Sequence, residues 1–185
     1  MLTSPYENGD RCSGGLAMTA ARESTEAFEA IMSDVDPPSY VVTAAAGDDR
    51  AGCLVGFATQ CSIDPPRFGV WLSKLNRTYR VARTSRTLIV HLLRDDDGDL
   101  AGHFGGETGD DVDKFAGIDW SSGPGGCPVI ERLDWFAGSV VDQVDTGDHV
   151  AFVLAPWGGR CQRSGRQLSE AELGDIEPGH PIPGR

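Results

Sequence analysis

The residues best suited to bind a charged ligand lie in one acid-free segment of the chain. From Pro65 to Arg94 the sequence has no Asp or Glu, yet it carries seven cations: Arg67, Lys74, Arg77, Arg80, Arg83, Arg86 and Arg94. Nearly all are arginine, whose planar guanidinium binds anions through paired hydrogen bonds. The segment indicates either a site for one compact anion or a solvated face whose cations form weak surface ion pairs.

A short helix predicted over residues 76–85 would position these groups. Asn76 can cap its start, and Arg77, Arg80 and Arg83 then recur every three residues beside Thr78. Backbone N–H groups at the start of the helix, a threonine hydroxyl and a guanidinium together suit a phosphate.

Histidine and cysteine do not form a recognisable metal motif in this chain. The four histidines (His91, His103, His149 and His180) are far apart, and the five cysteines include no C-x-x-C pair. We therefore expect no metal site and reduced thiols. Motifs typical of P-loop NTPases, Rossmann dehydrogenases, α/β-hydrolases and zinc proteases are also missing from the sequence.

Overall charge narrows the possible partners. Among 185 residues, 16 Lys and Arg stand against 28 Asp and Glu, so the net charge is −12. This balance argues against nucleic acid and against a polybasic membrane surface as partners. No apolar run approaches the roughly 20 residues that span a bilayer, and residues 1–8 lack the features of a signal peptide, so a cytoplasmic location is expected.

Short apolar runs separated by turns predict a mainly β fold with a few short helices. Strands are predicted over residues 40–46, 51–58, 68–72, 87–93, 135–144 and 149–156, and helical pieces after Ser24 or Thr25 and over 76–85, 100–104 and 112–115. Since most strands follow one another through turns, an antiparallel barrel is favoured over a doubly wound parallel sheet. The predicted organisation is an N-terminal arm (1–22), one domain (23–173) and a tail rich in Pro and Gly (174–185).

Several phrases, in order, resemble the flavin reductase-like family. They span residues 26–156 and include Val41-Val-Thr-Ala, Gly52-Cys-Leu-Val-Gly-Phe57, Ser62-Ile-Asp-Pro-Pro66, Phe68-Gly-Val-Trp-Leu-Ser-Lys-Leu-Asn-Arg-Thr78, Leu100-Ala-Gly-His-Phe104, Asp113-Lys-Phe-Ala-Gly117, Gly126-Cys-Pro-Val-Ile130 and Gly147-Asp-His149. The resemblance implies an FMN-binding split β-barrel of the antiparallel Greek-key type. It also implies a homodimer, with FMN or FAD lying between the barrel and the partner subunit.

The same resemblance assigns residues to the cofactor. It places flavin along Cys53, Leu54, Val55, Gly56 and Phe57, and the phosphate beside Lys74, Asn76, Arg77 and Thr78. Where the family commonly has a Thr-Val-Ser-Ser-like stretch, this chain has Cys53-Leu-Val-Gly56 and therefore no hydroxyl. Backbone contacts survive that change and side-chain hydrogen bonds do not. An ordinary buried strand is the alternative interpretation of this segment.

The resemblance also bears on six further side chains. His149 matches the family histidine near the flavin and nicotinamide, where an imidazole could bond the carboxamide or manage protons; a turn-end histidine paired with Asp148 is the alternative. His91 is interpreted as a structural polar residue, and Lys114 is expected to pair with acid instead of touching flavin. Core or dimer packing is expected for Phe104, Phe115 and Trp120, with a ring beside the cofactor as the alternative.

The resemblance implies an enzyme that uses NADH or NADPH as hydride donor to reduce FMN or FAD and can supply reduced flavin to a separate monooxygenase. Two other functions stay open. One is a flavin-binding protein without reductase activity, such as an electron carrier or a sensor. The other is a barrel that binds a different planar cofactor, such as a deazaflavin or haem.

Overall fold

The computed structural model describes residues 25–174 together with Ile176 and Gly179. Contacts within the chain separate residues 1–36 from residues 37–185. In the first unit the described residues include a helix over 25–32 (α1), which confirms the helix predicted after Ser24 or Thr25. None of the described helices is both long and apolar enough to cross a membrane. The predicted arm (1–22) lies outside the described residues, as does most of the predicted tail.

The second unit is built around a seven-stranded antiparallel sheet. Its described elements are β1 (Tyr40–Ala46), β2 (Asp49–Val55), β3 (Ala58–Ser62), β4 (Arg67–Ser73), α2 (Arg77–Ala82), β5 (Thr87–Leu92), α3 (Gly98–Gly106), β6 (Trp120–Ser122), β7 (Pro128–Ile130), β8 (Asp134–Asp145) and β9 (His149–Arg160). The sheet has the order β2-β1-β5-β8-β9-β4-β3, while β6 pairs with β7. The mainly β, antiparallel prediction is confirmed.

The two edge strands of this sheet, β2 and β3, are joined directly through Gly56 and Phe57. The sheet therefore rolls up until its edges approach, but no ladder joins β2 to β3. Each of these strands pairs on one side only, β2 with β1 and β3 with β4. The barrel is split at this point, and the outer edge of β2 keeps backbone groups without a strand partner.

Alternating side chains fill the barrel. Val42 and Ala44 of β1, Leu88 and Val90 of β5, and Phe152 and Leu154 of β9 point inward and are fully or nearly fully buried. The short helix α2 inserts Val81 and Ala82 into the same cluster. The opposite face of β1 packs Val41 against Leu100, Ala101 and Phe104 of α3.

Two local differences from the sequence predictions have physical causes. Strand β3 was not predicted, because the middle of Ala58–Ser62 is exposed and polar and lacks an alternating apolar pattern. The helix predicted over residues 112–115 is a turn. There the Asp113 carboxylate accepts a hydrogen bond from the Phe115 backbone N–H at 3.0 Å, which competes with helix formation.

Candidate functional site

A groove follows β2 beside the split in the barrel. Its first part, the Gly56 cavity, has a volume of about 250 Å³. The side chains and backbone that line it come from β2, the start of α2, the end of α3, the following loop and the C-terminal segment: Leu54, Gly56, Asn76, Phe104, Gly105, Glu107, Thr108, Lys114, Glu170, Leu173, Gly174 and Ile176.

The second part, the Thr78 cavity, lies against the first half of β2. Its volume is about 360 Å³, and it is lined by Asp48, Arg50, Ala51, Gly52, Arg77, Thr78, Gly109, Asp110, Asp111, Val112, Asp113, Lys114 and Phe115. Lys114 lines both cavities, so the two are neighbours along one groove.

The alternation of β2 divides the predicted flavin-binding residues into two sets. Leu54 and Gly56 line the groove, whereas the Cys53 and Val55 side chains are buried inside the barrel. Burial raises the pKa of the Cys53 thiol. Cys53 and Val55 can therefore offer a ligand only their backbone groups. That they contact the cofactor through these groups stays a prediction.

Three of the predicted phosphate-binding residues already have partners. Lys74 Nζ lies 2.8 Å from both carboxylate oxygens of Asp145, and Arg77 bonds Asp49 at 2.5 Å. Asn76 accepts the Thr78 backbone N–H at 3.1 Å and so caps α2. The bond from Lys74 is the main reason that the pKa of Asp145 lies below its usual range. Lys74 and Arg77 thus form solvent-exposed ion pairs in this structure, as the second interpretation of the acid-free segment expected.

Two polar side chains of the groove are incompletely satisfied. Thr78 is fully buried, and among the described residues its hydroxyl interacts only with the Cys53 thiol, a weak hydrogen-bonding partner. Lys114 is only 5% exposed, and its ammonium donates to the Phe104 carbonyl at 2.8 Å. Burial lowers the pKa of Lys114. Among the described residues no carboxylate lies at ion-pair distance from Lys114, but the nearby Glu107 carboxylate acts against the effect of burial on the pKa of Lys114.

Sequence reasoning missed Lys114 because of its neighbours in the chain. It follows the acidic run Asp110-Asp-Val-Asp113, where a lysine is expected to pair with acid. The apolar Phe115 directly after it is buried, and this was the available signal that the chain turns inward at this point.

His149 and Phe57 contact each other beside the split in the barrel, next to the Gly56 cavity but not among its lining residues. Phe57 follows Gly56 directly, and its ring is 59% exposed. The ring centroids of Phe57 and His149 lie 5.4 Å apart, with 62° between their planes. His149 Nδ1 lies 2.9 Å from Asp148 Oδ1, which is the pairing expected for a histidine at the end of a turn. The same imidazole also contacts the exposed Phe57 ring.

His91 is structural, as its sequence position indicated. It is fully buried, its Nδ1 lies 3.0 Å from the Val41 carbonyl, and the Ile130 backbone N–H donates to its Nε2 at 3.1 Å. These bonds require the neutral ring with the proton on Nδ1. Burial lowers the pKa of His91 to about 4. Phe104 and Phe115 are likewise buried in the core and also border the groove.

The barrel unit is thus an antiparallel split barrel with a groove along the edge strand β2, the architecture of a ligand-binding split barrel. Residues 32–168 match the model of the flavin reductase like domain. The chain belongs to this family.

Relatives and solved structures agree with that membership. The chain is 32% identical over 117 residues to the stachydrine N-demethylase reductase subunit of Rhizobium meliloti, covering 60% of this chain and 50% of the relative. It is 29% identical over 123 residues to an FMN reductase (NADH) of Klebsiella pneumoniae, covering 66% and 74%. A flavin reductase domain protein of Arthrobacter sp. FB24 shares the fold, with a TM-score of 0.73 at 19% identity over 85% of this chain and 97% of that one.

Proposed function

We propose that the protein is an NAD(P)H-dependent flavin reductase that binds FMN or FAD in the groove along β2. One observation carries this proposal. A groove with buried donors, Thr78 and Lys114, runs along β2 to Gly56, and the next residue, Phe57, carries an exposed ring that contacts the His149 imidazole. A flavin nucleotide has the matching polarity, with an anionic phosphate and a planar ring at opposite ends. Family membership and the name of the Klebsiella relative support the same function.

The residues present fit such a cofactor. The Thr78 hydroxyl, whose described partner is the weakly bonding Cys53 thiol, and the Lys114 ammonium suit the phosphate end. Leu54 and Gly56 provide an apolar side chain and an open backbone position beside the unpaired edge of β2, which suits the polar rim of the ring. The missing hydroxyls of residues 53–56 leave these backbone groups in place.

Bound flavin supplies the redox chemistry, taking two electrons from NADH or NADPH. The protein has to bind and orient the two ring systems and exclude water between them. The exposed face of Phe57 offers a stacking surface for a planar ring. With its Nδ1 held by Asp148, a neutral His149 presents Nε2 as an acceptor, which suits the N–H of a carboxamide.

The test is an anaerobic titration of the purified chain loaded with FMN or with FAD. Addition of NADH or NADPH should bleach the flavin absorbance, and the faster nucleotide identifies the preferred donor. A flavin-loaded protein that neither nucleotide bleaches would leave a binding protein without reductase activity. A chain that binds neither flavin would overturn the proposal.

Two variants test the role proposed for His149. His149→Ala should slow flavin reduction and keep flavin affinity, because the imidazole orients the nicotinamide and not the flavin phosphate. Asp148→Ala keeps the imidazole but removes its partner, so it should produce a smaller loss. Unchanged reduction rates in His149→Ala would remove this residue from the reaction.

We further propose that the protein acts as a cytoplasmic homodimer and passes reduced flavin to a separate monooxygenase. The name of the Rhizobium relative, a reductase subunit, supports a partner enzyme. The free thiols of the described cysteines suit a reducing compartment. Light scattering tests the dimer. Coupled turnover with a flavin-dependent monooxygenase of the same organism tests the partner.

A further inference from the structure

Glu170 brings a carboxylate to the Gly56 cavity from the C-terminal part of the chain. Its Oε2 lies 3.5 Å from the point where a Cβ on Gly56 would stand, and both residues line the cavity. Within the described part of the chain this carboxylate forms no hydrogen bond or ion pair, whereas Glu172, two residues later, bonds Arg166 at 2.5 Å. The Glu170 carboxylate is therefore available to a ligand beside Gly56.

The backbone around Glu170 is fixed to the barrel unit. Leu168 is 4% exposed, and its carbonyl accepts the Ser39 N–H at 2.8 Å. The Leu168 N–H donates to the Leu93 carbonyl at 3.0 Å, and the Glu170 N–H donates to the Pro37 carbonyl at 2.9 Å. These bonds hold Glu170 beside the cavity through its backbone, so the side chain can be changed without loosening the segment.

Other acceptors that line the Gly56 cavity already take part in interactions. The Gly56 carbonyl accepts a backbone N–H at 3.0 Å, and the Asn76 side chain caps α2. The Glu107 carboxylate acts on the buried Lys114 ammonium. Glu170 is thus a charged acceptor that the surrounding described residues leave to a ligand.

The chemistry of a carboxylate limits which ligand atom can face Glu170. An ionised carboxylate only accepts hydrogen bonds, so the ligand must present an N–H or an O–H. The ring system of an oxidised flavin has one N–H, the imide N3–H, which lies between two carbonyl groups. The unpaired outer edge of β2 can serve those carbonyls through backbone N–H groups, while Glu170 serves the N–H between them.

We propose that Glu170 binds and orients the flavin ring by accepting a hydrogen bond from its imide N3–H. This proposal rests on the proposed flavin reductase function and adds a residue to the site. The family match covers residues 32–168 and so ends before Glu170, which makes this contact a property of the present chain. A carboxylate acceptor makes a stronger bond than a neutral one, so the contact should contribute measurably to affinity.

The test combines a change in the protein with a change at one ligand atom. FMN and N3-methyl-FMN, in which a methyl group replaces the imide hydrogen, are titrated by fluorescence into the full chain and into Glu170→Ala. Glu170→Ala should weaken FMN binding roughly 10-fold, the low end for a charge-assisted bond because the side chain is exposed before binding. It should not weaken binding of N3-methyl-FMN. Riboflavin, which lacks only the phosphate, should show the same loss as FMN, because Glu170 acts on the ring.

A rescue variant and a matched control separate the acceptor from the fold. A Cβ on Gly56 would make only ordinary contact with Glu170, so Gly56→Ser puts a hydroxyl into the same space. Glu170→Ala combined with Gly56→Ser should therefore regain part of the FMN affinity. Glu172→Gln removes an equal charge and keeps an oxygen for its bond from the Ser169 N–H, so it should leave both affinities unchanged.

Three results would overturn the role of Glu170: equal losses for FMN and N3-methyl-FMN in Glu170→Ala, no loss for either ligand, or a double variant that binds FMN as weakly as Glu170→Ala. The reductase proposal would still stand if NADH or NADPH bleaches FMN bound at saturating concentration. An unmodified chain that binds neither FMN nor FAD refutes the reductase proposal itself, and the role of Glu170 with it.

Discussion

Two buried polar regions of the barrel unit differ in how completely their groups are paired. In the first, which we call the aspartate cluster, Asp97 and Asp134 are almost fully buried and bond the side chains of Arg94, Arg132 and Arg163. In the second, the wall of the Thr78 cavity, Lys114 makes one hydrogen bond and the Thr78 hydroxyl interacts, among the described residues, only with the Cys53 thiol.

The contrast separates buried charges that the fold bonds several times from one that has a single hydrogen bond beside the groove. Asp134 also accepts the backbone N–H groups of Gln162 and Arg163, at 2.7 and 3.1 Å. The aspartate cluster thus fastens the segment after β9 to the start of β8. Asp97 and Asp134 each make several hydrogen bonds, whereas Lys114 beside the groove makes one. Each experiment below tests this division.

The largest effect is expected from breaking the aspartate cluster. Asp97 accepts the Arg94 backbone N–H at 2.8 Å and Arg163 Nη1 at 2.5 Å. The buried Asp97 carboxylate accepts all of these bonds, and Asp97→Asn would turn one acceptor oxygen into an NH2 group that faces other donors, so we expect the free energy of unfolding to fall by about 3 kcal/mol. Urea denaturation measures the loss.

The control for Asp97 is its exposed neighbour Asp96, which pairs with the same Arg163. Asp96→Asn should change stability by no more than about 0.5 kcal/mol. Neither variant should alter the ratio of FMN to riboflavin affinity. A changed ratio in Asp97→Asn would mean that the two regions are coupled and that the division is wrong.

The buried, neutral His91 should make the free energy of unfolding depend on pH. Because burial lowers the pKa of His91 to about 4, the unfolded chain takes up a proton below pH 6.5 while the folded chain does not. The free energy of unfolding therefore falls as the pH falls, by about 2 kcal/mol between pH 6.5 and pH 5 from this residue. The loss should be complete near pH 4, where the folded ring also becomes protonated.

His91→Asn removes this titration while keeping a polar side chain. Urea denaturation across the same pH range should then show a shallower dependence on pH, by about one proton. If the two slopes were equal, His91 would not be buried in the neutral form.

The sequence predicted the strands of the barrel better than it predicted the pairing of charged side chains. Continuous apolar runs in residues 40–46 and 87–93 predicted β1 and β5, and the turn residues Asp145 to Asp148 predicted the β8–β9 hairpin. Charge counting found the acid-free segment but could not show that Lys74 and Arg77 meet carboxylates from distant strands and turns. Pairing depends on the three-dimensional structure, so sequence could not show that the buried Lys114, in an acidic loop, lacks a carboxylate at ion-pair distance among the described residues.

Two buried threonines test whether the Thr78 hydroxyl lowers the stability of the flavin-free protein. Thr43 and Thr78 are both fully buried, but the Thr43 hydroxyl donates to the Pro128 carbonyl at 2.6 Å. Thr78→Val should stabilise the flavin-free chain by about 1 kcal/mol, because it removes a buried hydroxyl whose only described partner is a weak one. Thr43→Val should destabilise it by a similar amount, because a buried carbonyl loses its donor.

The measurement is the denaturation midpoint of both variants without flavin, followed by titration with FMN and riboflavin. Thr78→Val should weaken FMN binding and leave riboflavin binding unchanged, and Thr43→Val should change neither. A destabilised Thr78→Val would show that the contact with Cys53 stabilises the fold, contrary to the proposed phosphate site.

The smallest effect is expected at the surface pair of Arg80 with Asp110, on α2 and the acidic loop. Both side chains are nearly half exposed, so solvent screens their attraction. Arg80→Met should change the free energy of unfolding by no more than about 0.5 kcal/mol in urea denaturation. A larger loss would mean that the pair anchors the acidic loop that carries Lys114. The position of Lys114 would then depend on the Arg80–Asp110 pair, and FMN affinity should fall in Arg80→Met as well.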